Sequence, residues 1–276
     1  MIFIAKDIRA ERVNLLMNDY ASGLPSPLSF IGLADAIVRD LGLTPWSARV
    51  IPVLHHVCAS VGRTKPEMER KHGAFMPIET MEDLVGTVDL SLVLDIPQCE
   101  SASDIAGSLM RRRVAGGIIQ NERIEVDAVA KDGSAFRHLR RGYAMLAPNE
   151  NESDKCMTSN GDQSGFAHIL EILFPDERLP GSGWFVPVAA GYHLLEDPDR
   201  VPERIRRRDS TVPHVFAEPL LGMAELVSIR NRRLTDRTGE HFTALFWSWH
   251  VDGDRIVGHQ AYLSNSIQKE ENIAHG

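Results

Sequence analysis

MRRRVAGGII, residues 110–119, is where a predicted helix closes on three arginines, the chain turns on two glycines and an apolar strand begins. Gly116 and Gly117 can take positive φ or let a second backbone approach closely. Arg111, Arg112 and Arg113 beside them carry planar, five-donor guanidinium groups suited to phosphate. The same residue types also suit a helix C-terminus, which favours cations and a following glycine. Upstream, Ser101 or Ser103 caps this helix, which is expected to run through Arg113. Downstream, residues 118–130 read as a strand. Further back, residues 2–13 form a first strand. Ser26 and Pro27 are good N-cap and N1 residues for a helix carrying Leu28, Ile31, Ala34, Ile37, Val38 and Leu41 at helical spacing, with Gly42 as its stop. Residues 50–61 and 86–96 are strands. Between them, residues 62–80, with proline, glycine and mixed charge, leave the core. The order β-α-β-β-α-β predicts an α+β chain with a ferredoxin-like (RRM-type) domain over residues 1–142, a unit that hosts many functions.

The second part, residues 143–276, is expected to be a smaller, irregular, β-rich α/β extension packed on the first. Residues 143–147 and 184–189 read as strands and 165–174 as a short helix. Residues 148–165 and 196–213 read as loops and 268–276 as a frayed tail. Residues 213–229 show helical periodicity. Strands at 241–251 and 255–263 are predicted to pair across Asp252-Gly253.

Composition is that of an ordinary globular chain: 276 residues, 43% hydrophobic and 25% charged. The three cysteines, Cys58, Cys99 and Cys156, form no CxxC pair. Neither a zinc site nor a disulfide framework is expected, and a reducing cytoplasm fits best. The N-terminus meets charge at Lys6, unlike a signal peptide, and no apolar run is long enough to span a membrane. The net charge of −8 argues against a generic nucleic-acid binder. The distribution is more informative: 24 Arg stand against 6 Lys, and the arginines cluster. Residues 200–237 hold nine Arg against five acids, whereas residues 64–110 hold nine acids against three bases. Separate basic and acidic faces would let one side hold a polyanion and the other meet a protein.

Single-stranded RNA is held by arginine on phosphate and by aromatic or guanidinium stacking on bases. Arg111, Arg112, Arg113, Gly116 and Gly117 fit that need. Arg137, Arg140 and Arg141 precede Tyr143 and would continue the groove, and Tyr192, after Gly191, would offer a ring or a hydroxyl. Arg204, Arg206, Arg207 and Arg208 suit a surface loop. Trp184 and Trp247 are expected in the core. Phe30 lies off the apolar stripe of its helix and is expected to meet a partner. An enzyme would need histidine. At least one of His55 and His56 reads as a satisfied core residue, and His250 ends a strand. With no HExxH, Walker A or GxSxG, neither a metal nor a cofactor is expected.

GLPSPLSFIGLADAIVRDLG (23–42), MRRRVAGGII (110–119), RRGYAML (140–146), GWFVPVAAGYHLL (183–195), FAEPLLGMAELVS (216–228) and LFWSWH (245–250) together resemble the second Csy subunit of type I-F CRISPR surveillance complexes, a Cas5-class RAMP protein. The chain departs from the family pattern in a shorter stretch between Tyr143 and Gly181 and in its RRR run. The resemblance implies a non-catalytic subunit that caps the crRNA at its 5′ handle and pairs with the large subunit, which reads target DNA. It also implies a thumb-like insertion, placed at about 62–80, that folds over the RNA beside the first backbone RAMP subunit. Two other readings stand beside it: a crRNA-processing endoribonuclease of the RAMP superfamily, and a protein scaffold without direct RNA contact.

Overall fold

The computed structural model describes residues 1–17, 21–61, 64–148, 170–177, 182–200 and 214–260. One large antiparallel sheet dominates an α+β fold with few helices. In it β1 (Ile2–Asn14) pairs with β5 (Val85–Asp95) along one edge. Along the other edge lie β7 (Gly117–Ile119) and β8 (Glu125–Val129). β2 (Arg49–Ala59) pairs with β5 on its far side. Helix α1 (Pro27–Asp40) connects β1 to β2, and α2 (Ala102–Leu109) follows β5.

The local signals explain α1. Ser26 accepts a hydrogen bond from the Leu28 N–H, Pro27 opens the helix, and Gly42 closes it at φ +66°. Leu28, Ile31, Ala34, Ile37 and Val38 are buried under the sheet. So is Phe30, fully, which corrects the expectation that it would meet a partner. The Ser26 hydroxyl also donates to the Ala189 carbonyl at 2.6 Å, tying the start of α1 to the second part of the chain.

Both faces of the sheet are covered around β1, β5 and β2. Phe3, Ala5, Ile8 and Ala10 of β1 join the core under α1 and α2. Ile2 and Ile4 point the other way, onto Phe136, Phe242 and Phe246. That second layer comes from a 3-10 turn (Gly133–His138), α3 (Arg232–Thr235) and α4 (Gly239–Thr243).

The remaining strands extend the sheet from β2 through β9 (Tyr143–Leu146), β11 (Ala217–Ser228), β10 (Trp184–Leu194), β13 (Arg255–Gln260) and β12 (Trp247–Asp252). β12 meets β2 again at the pair Trp247 and Val50, so the strands curl around α1. A Cβ on Gly258 would stand 3.2 Å from Leu28 and 3.4 Å from Ile31, both on α1.

β3 (Thr64–Lys71) and β4 (Ala74–Glu82) make a separate two-stranded hairpin. It exposes Met68, Phe75, Met76 and Ile78.

Several local expectations need correction. α2 stops at Leu109, and Arg113 already begins β6 (Arg113–Val114). The strand expected at 118–130 splits into β7 and β8. β10 continues past Ala189 to Leu194 through a bulge. Residues 217–228, expected to be helical, are strand β11, because pairing with β9 and β10 overrides the local period. Residues 239–243 are helix, and the following hairpin turns on Gly253-Asp254, one residue later than expected. Trp184 is exposed, whereas Trp247 is buried as expected, its indole N–H on the Met145 carbonyl at 2.8 Å. Of the loops expected at 148–165 and 196–213, residues 149–165 and 201–213 lie outside the described residues, as does the tail expected at 268–276.

Candidate nucleic-acid interface

The turn between β6 and β7 is built from two left-handed residues, Ala115 at φ +44° and Gly116 at φ +79°. Gly117 is needed for a different reason. A Cβ there would meet Val13 at 2.6 Å and the Glu11 carbonyl at 2.8 Å, so its smallness lets β7 lie against β1. The positive φ values fall on 115 and 116, one residue earlier than the pair of glycines implies.

The three arginines have different surroundings. Arg112 lies on Asp40, the last residue of α1, with Nε donating to Oδ2 at 2.9 Å and Nη2 to Oδ1. The Ser108 hydroxyl donates to Oδ2 at 2.7 Å. These bonds hold the Asp40 carboxyl below its ordinary pKa, Arg112 first and Ser108 next. Arg111 touches the same carboxylate only at 3.8 Å, with its side chain 65% exposed. Arg113 is exposed and donates to the Gly116 carbonyl at 3.2 Å, across its own turn. Arg112 is therefore charge-balanced in place, while Arg111 and Arg113 offer positive charge to the surface.

All three line a groove of about 620 Å³ whose other walls are Asn14, Ser29, Gly32, Leu33, Ala36, Ala115 and Gly116. The α1 floor of this groove escapes a reading that follows only the apolar stripe. The signal was nevertheless present: Ser29, Gly32 and Ala36 recur at helical spacing between the buried positions.

A family model for CRISPR-associated proteins of the Csy2 type matches residues 3–262. The chain belongs to the Csy2 family. It is a subunit of a type I-F CRISPR system and of a multisubunit complex. No curated protein matches it. Among the described residues of this Csy2-family chain, no helix is long and apolar enough to cross a membrane, and no group of three or more His, Cys, Asp or Glu is placed to hold a metal.

The second arginine cluster lies on the opposite face of the Csy2-family sheet. Arg140 donates to Asp7 at 2.6 Å and reaches Asp89 at 3.4 Å. Asp89 alternates with Val88 and Leu90, which face α1, so it points away from α1. Arg137 and Arg141 are exposed on this side. The structure thus separates Arg137, Arg140 and Arg141 from the groove of Arg111 and Arg113. Tyr192 is half-exposed in β10, opposite Pro219 and Ile256. It stands in a continuous strand, where Gly191 makes room for the Ile256 carbonyl 2.6 Å from a would-be Cβ. Arg204, Arg206, Arg207 and Arg208 lie outside the described residues.

In the remaining arginine cluster of the Csy2-family chain, Arg230 and Arg233 are structural, whereas Arg232 is exposed. Arg230 donates to the carbonyls of Phe136 and Leu139 at 2.8 and 2.5 Å. Arg233 grips the buried Glu225 with two bonds of 2.6 and 2.8 Å. His55 bonds at both ring nitrogens: Nδ1 meets the Arg141 carbonyl at 2.9 Å and Nε2 the Ser91 hydroxyl at 2.7 Å. The carbonyl requires Nδ1 to carry the proton, leaving Nε2 to accept from Ser91. Burial lowers the pKa of His55, in keeping with that neutral form.

Proposed function

We propose that this chain is the non-catalytic subunit that binds the 5′ handle of crRNA and anchors the large subunit. In this reading it sits beside the first backbone RAMP subunit and meets target DNA only through the complex, in the cytoplasm. Residues 1–142 form a ferredoxin-like, RRM-type RAMP domain, and residues 143–276 an extension packed on it. The antiparallel order β2-β5-β1-β8, with α1 and α2 in the crossovers, supports that architecture. The separate β3–β4 hairpin supports a thumb at about 62–80.

The observation that carries the reading is the groove edge where Arg111 and Arg113 stay exposed while Arg112 is neutralised by Asp40. Two cations beside a tight hairpin turn suit an RNA backbone. Arg137, Arg140, Arg141 and Tyr192 would then touch RNA or a neighbouring subunit elsewhere on the chain. The test is binding of the purified chain, alone and with the large subunit, to short RNAs bearing the repeat-derived handle or a scrambled sequence. Handle-selective binding, with a salt slope reduced by about 0.7 for each of Arg111→Ala and Arg113→Ala, is the expected result. No selectivity even with the partner would overturn the reading and leave a scaffold without RNA contact. A defined cleavage product from repeat RNA in EDTA would replace it with an endoribonuclease.

A further inference from the structure

The floor of the arginine-edged groove contains a glycine that neither backbone nor packing requires. Gly32 lies within α1, where glycine weakens a helix relative to alanine. It has no positive φ, and among the described residues nothing stands within 4 Å of where its Cβ would be. Other glycines of the chain have an evident reason: Gly117 lies against β1, Gly191 against β13, and Gly42 stops α1. Gly32 instead faces the open groove, between Ser29 one turn before it and Ala36 one turn after. Its smallness, with theirs, keeps the floor of the trough clear of side chains. The trough volume of about 620 Å³ lies within the range of small-ligand sites, roughly 300–1,000 Å³. Its rim holds the exposed Arg111 and Arg113, and its polar floor groups are Asn14 and Ser29.

We infer that this trough seats one nucleotide of the bound RNA strand, its phosphate between Arg111 and Arg113 and its sugar and base over Ser29, Gly32 and Ala36. Gly32 acts as a specificity-determining residue by leaving that volume empty. The inference rests on the RNA-binding reading and adds a place and a shape to it. Arg112 is set apart from the phosphate seat, because its charge is balanced by Asp40 through Nε and Nη2.

The experiment compares Gly32→Ala, Gly32→Leu and Arg113→Ala in the full chain, with and without the large subunit. Fluorescently labelled RNA carrying the repeat-derived 5′ handle is the probe, and thermal midpoint is measured alongside affinity. Gly32→Ala should hold or raise the midpoint. Gly32→Leu should keep the fold and weaken handle binding at least tenfold, with the salt slope unchanged because no cation is lost. Arg113→Ala should weaken binding and reduce the slope. If Gly32→Leu binds as wild type while Arg113→Ala weakens binding, the seat is overturned and the RNA reading stands. If neither variant changes binding, both fall. Should Gly32→Leu not fold, Ala36→Leu, one turn along the same floor, gives the same comparison.

Discussion

Arg112 and Asp40, 72 residues apart in sequence, meet in a two-bond ion pair that joins the end of α2 to the end of α1. Ser108, fully buried, adds a third bond to the same carboxylate. The pair therefore ties the end of α1, which floors the groove, to the segment after α2 that carries its arginines. A run of three arginines is thus split by function: its middle residue holds the protein together and its neighbours face outward.

Removing Arg112 should cost stability rather than charge for ligand. Arg112→Ala is expected to lower unfolding free energy by about 1 kcal/mol, the upper end for a partly exposed pair, in urea titration. Its effect on the salt slope of RNA binding should be smaller than that of Arg111→Ala. Because Asp40 has a depressed pKa in the folded chain, its contribution is present above about pH 4, the unfolded value. It is lost as pH falls through the lower folded value. The Arg112→Ala variant should show a shallower acid decline of thermal midpoint.

His55 gives a second pH dependence in a different window. Its folded pKa is lowered, first by burial, so the unfolded chain takes up the proton more readily. Stability should be full above about pH 6.5 and decline as pH falls from there toward the folded value. His259, also lowered by burial and by His250, adds to the same slope. His55→Asn should remove part of it in a series of midpoints from pH 7.5 to 5. An unchanged slope would mean that the bond to Ser91 does not depend on the neutral ring.

Glu225 is 1% exposed on β11 and is held by Arg233 and by the Gly183 N–H at 2.8 Å. Deleting one partner leaves the other charge buried. Arg233→Met should destabilise the chain by about 3 kcal/mol. The double variant Arg233→Met with Glu225→Leu should recover much of the loss, measured by a double-mutant cycle in urea.

The β6–β7 hairpin yields two changes of opposite sign. Ala115→Gly relieves a left-handed alanine and should stabilise by about 0.5–1 kcal/mol. Gly117→Ala places a methyl 2.8 Å from the Glu11 carbonyl and should destabilise by more than about 2 kcal/mol. Thermal midpoints of the two variants decide both.

The α+β class, the first two strands and α1 were legible because their signals are local: a serine cap, a proline, a glycine stop and period-specific apolar residues. β11 was not. Leu220, Met223, Ala224 and Val227 fall at helical spacing, and the buried end of the strand, with Ala224 in one core and Val227 in the other, is covered on both faces, which erases alternation there. Phe30 was misplaced because α1 is enclosed on more sides than a one-stripe helix needs. The arginines at 111–113 stood out by type, but Arg112 was distinguishable from its neighbours only through Asp40, a partner that sequence distance conceals. The groove floor was visible as small residues and had no meaning until the hairpin was placed above it.

The curl that returns β12 to β2 has a consequence for how the protein is made. α1 is complete within the first 40 residues, yet Leu28 and Ile31 are covered by Gly258 and Trp247 near the other end of the chain. Such distant pairing delays folding until the last strands exist. A nascent or truncated chain therefore keeps an oily helix uncovered, a target for chaperones and proteases. The helix that floors the arginine groove thus owes its cover to residues more than 200 positions further along the chain.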